Sequence, residues 1–382
     1  VTDYLALLKS DFEKYMRDLE SLVNLDCGTH NKAGVDTVST IIQERFREFG
    51  AEVTVFPQEQ YGDCVYGRWH GKGTARIFLI GHMDTVYPDG TAAQHPLHRE
   101  GSLLKGPGVS DMKSGLLSAV YAAHAVVQSG FENFAEIGVF CNSEEEVGSP
   151  ISRDVYAPFA RGANAALVLE GGRSNGNIVS SRKGVGRFTV TVRGRSAHAG
   201  VEPEKGANAI VALARYIEAI QALNGMRDGL TVNVGVVNGG TKANVVPDFA
   251  QAEVDIRIIR TEDGVALEKA IREIVAREMV KGTTAEVYGV IRATMEKTPH
   301  IAHLAELAMQ AASELGFKTQ DQATGGGSDG NYIAALGTPT LDGLGPVGGD
   351  DHNVLTEWLD YDSILPRTAM VAKLIVAVCE GK

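Results

Sequence analysis

A chain of 382 residues, 44% hydrophobic and 22% charged, is longer than the length at which one apolar core stops growing, so two domains are expected. The formal net charge of -12, from 36 basic and 48 acidic residues, argues against a nucleic-acid partner, which would demand clustered Lys and Arg. No apolar run reaches the roughly 18 residues that span a bilayer, so no membrane association is expected. Cys27, Cys64, Cys141 and Cys379 lack the spacing of a thiolate cluster or a disulfide framework. The opening VTDYLALL has neither the basic segment nor the apolar core of a signal peptide, so a cytoplasmic protein is expected, or a periplasmic or secreted one if a leader has been removed.

Apolar residues recur at three- and four-residue spacing over 5–23 and again over 38–49, which predicts two amphipathic helices. Strands are expected over 51–56, 64–69 and 77–80. The last, IFLI, has the length and branching of a strand buried on both faces. Residues 91–105 read as a surface excursion ending in a hairpin, and KGPGVSDMKSG over 105–115 reads as a glycine-rich loop. A helix over 114–128, an apolar strand over 135–141 and another over 165–169 complete a repeated device, in which a strand ends at a histidine or an acid.

The periodicity changes after Arg182. RFTVTVR over 187–193 alternates strictly, as a half-solvated antiparallel strand should. A helix over 206–223, strands over 230–237 and 250–259, a helix over 262–280 and a strand over 285–291 follow. This βαββαβ order is a split βαβ, ferredoxin-like α+β insertion. Helices over 301–315, 331–336 and 363–378 then resume the first pattern. The expected fold is a doubly wound, mixed-sheet α/β domain over 1–182 and 294–382, with an α+β domain inserted over 183–293.

The polar residues at strand ends and glycine-rich turns are His82, Asp84, Asp111, Glu145, Glu146, Glu170 and, late in the chain, His352. Two histidines and several carboxylates suit zinc, and Co2+ or Mn2+ fit the same ligands. Asp84, two residues after His82, can take the imidazole N–H that a metal leaves over. The competing readings are a satisfied turn for His82 and Asp84, and a helix cap for residues 144–146.

The motifs GHMDTVY, GPGVSDMKSG, NSEEEVGS, the Glu170 strand end, GRSAHAG, NVVP, TGGGSDG and the late His352 occur in the order of the dinuclear zinc aminoacylase and carboxypeptidase family, whose glutamate carboxypeptidase branch the chain resembles most. The resemblance covers essentially the whole chain and implies that 1–182 with 294–382 is the catalytic domain and that 183–293 is a lid and dimerisation domain. It implies two zinc ions per chain, with Asp111 bridging them, His82 and Glu170 completing one site, and Glu146 and His352 the other. It further implies that Asp84 orients His82, that Glu145 is the general base, and that a cis peptide follows Asp111. Two metals about 3.5 to 4 Å apart can hold a water, lower its pKa and polarise the scissile carbonyl, and Glu145 can collect its proton and deliver it to the leaving amine.

By the same resemblance His198 reaches the active site of a partner subunit in a homodimer formed through the inserted domain. Asn244 is a candidate donor to oxyanion or substrate, or simply shapes a turn with Pro247. Gly326, Gly327 and Ser328 line the substrate pocket in the family, and their backbone could meet a carboxylate. The alternative is a helix start capped by Ser328 or Asp329. Arg257 can pair a carboxylate bidentately, or form a structural ion pair with Asp255 on the same strand face.

The implied activity is hydrolysis of an amide bond to a C-terminal amino acid, with glutamate preferred and the substrate an N-acyl or folate-like small molecule or a short peptide. Arg292, followed by Ala293 where many relatives have proline, weakens the inference to glutamate. The alternatives are another N-acyl amino acid deacylase related to acetylornithine deacetylase and aminoacylase, a small peptidase, or a metal-free binding protein of the same fold.

Overall fold

The computed structural model describes residues 2–382, which divide into two compact units. One runs to Ser181 and takes up again over Lys297–Ala323 and Ser328–Lys382; the other is Arg182–Glu296 with Thr324–Gly327. Residues 324–327 therefore belong with the inserted unit, not with the flanking one as their position suggests. The cause is local bonding. The Lys183 N–H donates to the Thr324 carbonyl at 3.1 Å, and the Arg182 and Arg257 guanidinium groups donate to the carbonyls of Gly326 and Gly325 at 3.2 and 3.3 Å.

In the first unit a six-stranded mixed sheet runs in the order Glu52–Phe56, Cys64–His70, Glu136–Asn142, Arg76–His82, Ala165–Val168, Thr340–Leu341. Arg76–His82 pairs in parallel with both of its neighbours, while Cys64–His70 is antiparallel to both of its own. The central strand shows why a continuous apolar run was needed. Ile77 and Leu79 enter one core, with the helices Tyr4–Val23, Ser114–Gln128, Pro299–Glu314 and Ile364–Cys379. Phe78 and Ile80 enter another, with Phe140, Tyr156 and Ile333. Because successive side chains on a strand point to opposite faces, four apolar residues in a row give a sheet covered on both sides, and only the strand ends remain for chemistry.

Close backbone approach brings those ends together. A Cβ on Gly115, at the start of the Ser114–Gln128 helix, would lie 1.8 Å from the Leu169 carbonyl, so the helix can meet the strand end before Glu170 only through glycine. The surface hairpin His98–Glu100 and Leu103–Lys105 forms, and it belongs to a small sheet that also contains Trp358–Asp360.

The second unit is a four-stranded antiparallel sheet in the order Thr231–Gly239, Phe249–Ile258, Gly184–Arg193, Thr284–Ile291. One face is covered by the helices Ala209–Gln221 and Thr261–Val275. Phe188, Val190, Val192, Val254 and Ile256 pack there against Leu213, Tyr216, Leu267 and Ile271. The second helix stops at Val275, short of the expected 280, and a turn follows in which Thr283 N–H and Oγ1 both donate to the Val280 carbonyl.

Candidate active site

In the first unit the carboxyl ends of three parallel strands deliver the site. His82 ends one strand and lies opposite Asn142, the last residue of the next. Residues Glu145–Val147 form a single tight turn beyond it, and Glu170 follows the strand Ala165–Val168. His82, Asp111, Glu146 and His352 then meet. Asp111 Oδ1 lies 3.0 Å from His82 Nε2 and Asp111 Oδ2 lies 3.1 Å from His352 Nε2. Glu170 is 3.8 Å from His82 Nε2 and Glu146 is 3.3 Å from His352 Nε2. One carboxylate thus straddles two imidazoles, each with a second carboxylate beside it.

The donor set fits a divalent cation. Ligand atoms of His82, Asp111 and Glu146 lie within 4.8 Å of one another, as do those of His82, Glu145 and Glu170. Glu145 therefore stands within reach of anything held by His82 and Glu170. The Asp111–Met112 peptide is cis, and His352 has a φ of +67°, a left-handed conformation that non-glycine residues rarely take and that clusters at functional sites.

The electrostatics show how closely acids and bases are packed. Burial opposes a charged His82, but Asp111 and Asp84, with Glu170 beyond, raise its pKa well above the usual imidazole value. Hydrogen bonds to Asp111 and Glu146 push His352 up to about 11. Asp111 is buried, which disfavours its charge, yet the two histidines hold its pKa below the ordinary carboxylate range. Glu145 goes the other way. Burial drives its pKa well up, and the charges of Glu170, Asp329 and Glu146 add to the rise. A carboxyl with a raised pKa is suited to taking up and giving back a proton near neutrality.

Asp84 does something other than face His82 with its carboxylate. The His82 Nδ1 is 2.9 Å from the Asp84 backbone carbonyl, against 3.4 Å from the carboxylate. The fully buried carboxylate instead accepts the backbone N–H groups of Glu145 and Glu146 at 3.1 and 3.3 Å and the Thr29 hydroxyl at 2.6 Å. One residue thereby orients the imidazole through its main chain and fixes the acidic turn through its side chain. Glu144, the third acid of that run, caps the following helix by accepting from the Ile151 and Ser152 N–H groups at 3.1 and 2.6 Å. The cap reading holds for this residue and not for its two neighbours.

Two further carboxylates brace the site, Glu357, which no sequence motif marks, and Asp329, which reads from sequence only as a candidate helix cap. Glu357, fully buried, accepts from the backbone N–H groups of Gly108, Ser110 and Asp111 and from the Tyr87 hydroxyl. Asp329 accepts from Asn142 Nδ2 at 2.6 Å, Ser149 Oγ and Tyr156 OH at 3.0 Å, and so clamps the base of the glutamate turn. Ser328 takes the alternative reading. Its hydroxyl caps the Asp329–Ala335 helix by accepting from Gly330 N–H at 3.0 Å and donates to Asp342 at 2.6 Å, so it is engaged in both senses.

Within the second unit His198 and Asn244, far apart in sequence, lie on paired segments. His198 bridges Val245 and the Ala199 N–H donates to the Asn244 carbonyl at 3.0 Å; both side chains are exposed. Arg257 pairs with Asp255 through Nε and Nη2 at 3.0 and 3.1 Å, which realises the structural ion pair. Gly326 and Gly327 are exposed, and the carbonyl of Gly326 is the acceptor for Arg182.

Residues 180–283 match the sequence profile of the M20 peptidase dimerisation domain. The chain is 29% identical over 374 residues to carboxypeptidase G2 from Pseudomonas sp. strain RS-16, covering 96% of this chain and 90% of that protein. Over nearly its whole length the chain is thus similar to the M20 aminoacylase and carboxypeptidase family, whose dimerisation-domain profile its inserted unit matches. A succinyl-diaminopimelate desuccinylase from Cereibacter sphaeroides is 29% identical over 331 residues, 81% of this chain and 86% of that protein. The structure of aminopeptidase PepT from Bacillus cereus superposes with a TM-score of 0.78 at 25% identity, over 96% of this chain and 98% of that one. The chain is therefore a hydrolase of the metallopeptidase and amidohydrolase class with the catalytic-plus-inserted-domain fold, a class that implies a divalent metal, typically zinc, for which His82, Asp111, Glu145, Glu146 and Glu170 offer ligand atoms. Among the described residues no helix is long and apolar enough to cross a membrane.

Proposed function

We propose that the protein is a dinuclear zinc amidohydrolase that releases a C-terminal amino acid, with glutamate as the first candidate, from an N-acyl or folate-like precursor or a short peptide. The observation that carries this reading is the Asp111 carboxylate placed at 3.0 and 3.1 Å between His82 and His352, with a protonatable Glu145 beside it. His82, Asp111 and Glu170 would hold one ion, and Asp111, Glu146 and His352 the other. Metal bound there supplies a Lewis acid for the amide carbonyl and makes water a better nucleophile.

The chain's own residues do the rest. Glu145 accepts one proton from the attacking water as the new C–O bond forms, and passes it to the leaving nitrogen as the C–N bond breaks. Its carboxyl pKa, raised chiefly by burial, strengthens it as the base that takes the first proton. Asp84 holds the Glu145 and Glu146 peptides in place so that neither side chain must reorganise during turnover. His198 and Asn244 are proposed as donors to the developing oxyanion or the substrate, with His198 acting across a homodimer formed by the second unit. Arg257 is a weaker candidate for the substrate carboxylate, because Asp255 already occupies its fork.

The test is metal content together with hydrolysis of a folyl-glutamate compound, with and without chelator. About two zinc ions per chain and chelator-sensitive release of glutamate are expected. Matched acyl-glutamate and acyl-lysine substrates then decide the leaving amino acid, and equal rates on both would remove glutamate from the proposal. Glu145→Gln is expected to keep its zinc and lose turnover. If it turns over normally, Glu145 is not the base.

A further inference from the structure

We infer that a groove in the first unit, walled by residues 28–31, 85–89 and 146–147, receives the acyl half of the substrate, and that it takes an uncharged apolar group and excludes an anionic one. This rests on the amide-hydrolase reading above. The groove has a volume of about 450 Å³, within the range of pockets that hold small organic ligands. Glu146 belongs both to its wall and to the cluster around Asp111, so a group lying in it is directly adjacent to the reacting carbonyl.

The groove is built, not incidental. Gly28 and Thr85 are bridged in parallel, with the Thr29 N–H donating to the Thr85 carbonyl at 3.1 Å and the Thr85 N–H to the Cys27 carbonyl at 2.9 Å. The third wall is fixed to the other two by a single carboxylate. Asp84 accepts from the Thr29 hydroxyl at 2.6 Å and from the Glu146 N–H at 3.3 Å. Tyr87 is held by its hydroxyl, which donates to Glu357 at 2.6 Å.

The lining decides the chemistry. Val86 and Val147 remain 42% and 39% exposed, and Pro88 and the buried Tyr87 continue the same surface. The ionisable groups lining the groove are His30, Tyr87, Asp89 and Glu146, and among the described residues no Lys or Arg lines it. Asp89 already accepts from Asn31 Nδ2 at 2.7 Å, and Glu146 lies against His352. The next cation along the chain, Lys32, is paired with Asp36 and Asp63. A succinyl or glutaryl carboxylate entering here would meet Asp89 and His30 and no guanidinium or ammonium group, Glu146 being committed to the metal cluster, whereas an aryl or branched alkyl acyl group would cover the two valines.

The experiment uses zinc-loaded Glu145→Gln protein, which binds without turnover, and titrates N-benzoyl-, N-acetyl- and N-succinyl-L-glutamate calorimetrically. N-benzoylglutamate is expected to bind about tenfold more tightly than either of the others, the effect of burying roughly two methylene equivalents. Adding Val86→Lys should bring the benzoyl and succinyl affinities together by a similar factor, and Val147→Lys is the second variant if the first fails to fold. Equal binding of benzoyl and succinyl compounds, binding of none of the three, or a ratio unmoved by lysine in the groove would overturn the assignment. Turnover of the three compounds by the wild-type enzyme separates the two proposals. A binding preference without hydrolysis leaves the groove and removes the glutamate-releasing reading; hydrolysis without acyl preference does the reverse.

Discussion

The carboxylate of Glu357 accepts the backbone N–H of Asp111 at 3.2 Å across 246 residues of sequence. The same side chain takes the N–H groups of Ser110 and Gly108 at 2.9 and 3.1 Å and the hydroxyl of Tyr87 at 2.6 Å. It thus joins three segments that carry site residues: the one after His82, the turn bearing Asp111, and its own, five residues beyond His352. Glu357→Gln keeps the size but turns one acceptor into a donor facing donors, which leaves buried groups unpaired at a cost of about 1–3 kcal/mol. Zinc affinity, measured by competition with a chelating dye, is expected to fall about 10- to 100-fold, as for other groups that hold metal ligands in place. Tyr87→Phe, which removes one of four donors, should cost far less.

Asp84 gives a second prediction. Its carboxylate has three donors, two of them the peptides of Glu145 and Glu146, while its carbonyl faces His82 Nδ1. Asp84→Asn leaves the carbonyl in place and acts chiefly on the turn, while also removing the charge 3.4 Å from His82 Nδ1. The expected result is a fall in kcat of about 10- to 100-fold with His82 still able to bind metal. Thr29→Ala, which removes the remaining donor, should produce a smaller fall. The check is kcat measured on samples of matched zinc content, and unchanged kcat in Asp84→Asn would show that the turn does not depend on the charge.

His124 provides a pH test away from the site. Its ring stacks on Phe49 at 3.7 Å and 6° between planes, and burial, with Lys14 and Arg45 nearby and Asp11 opposing them, lowers its pKa from the usual 6.5. The folded protein therefore binds this proton less readily than the unfolded chain. The contribution to stability is present above about pH 6.5 and is lost as the pH falls through the lower folded value. Denaturant unfolding of wild type should lose stability over that interval more steeply than His124→Gln, by at most about 1.4 kcal/mol per pH unit for one proton. Parallel curves would show that His124 titrates alike in both states.

Most of the scaffold could be read from the sequence because its signals are periodic. The run 77–80 has to be covered on both sides, and Ile77 and Leu79 enter one core while Phe78 and Ile80 enter the other. The strands Thr340–Leu341 and Gly348–Gly349 are too short to carry any period. They form because parallel and antiparallel neighbours already exist for them. Glu357 was hidden for another reason. NVLTEW reads as a solvated turn, with Leu355 70% exposed, and the donors that bury the glutamate are main-chain groups, which leave no trace in residue type. Asp84 was singled out by its spacing from His82, but that spacing could not show whether carbonyl or carboxylate would meet the ring. The role of Arg257 depended on a choice between two partners, and Asp255, two residues away on the same strand face, was the nearer.

The last prediction concerns His198, which is exposed and paired only locally within its own unit. A histidine that serves the site of its own chain and one that serves the site of a partner are equally sensitive to His198→Ala, so the single variant cannot separate them. Mixing can. In a homodimer with His198 acting across the interface, His198→Ala and Glu145→Gln homodimers are both inactive. Each mixed dimer, however, contains one site with an intact Glu145 and the partner's His198. Equal mixing with free subunit exchange should then restore about one quarter of wild-type activity, since half the dimers are mixed and each has one working site of two. If His198 acts within its own chain, every site in the mixture lacks one of the two residues and no activity returns. Exchange is verified independently with differently tagged subunits, so an inactive mixture whose subunits have exchanged assigns His198 to its own chain or removes it from the reaction.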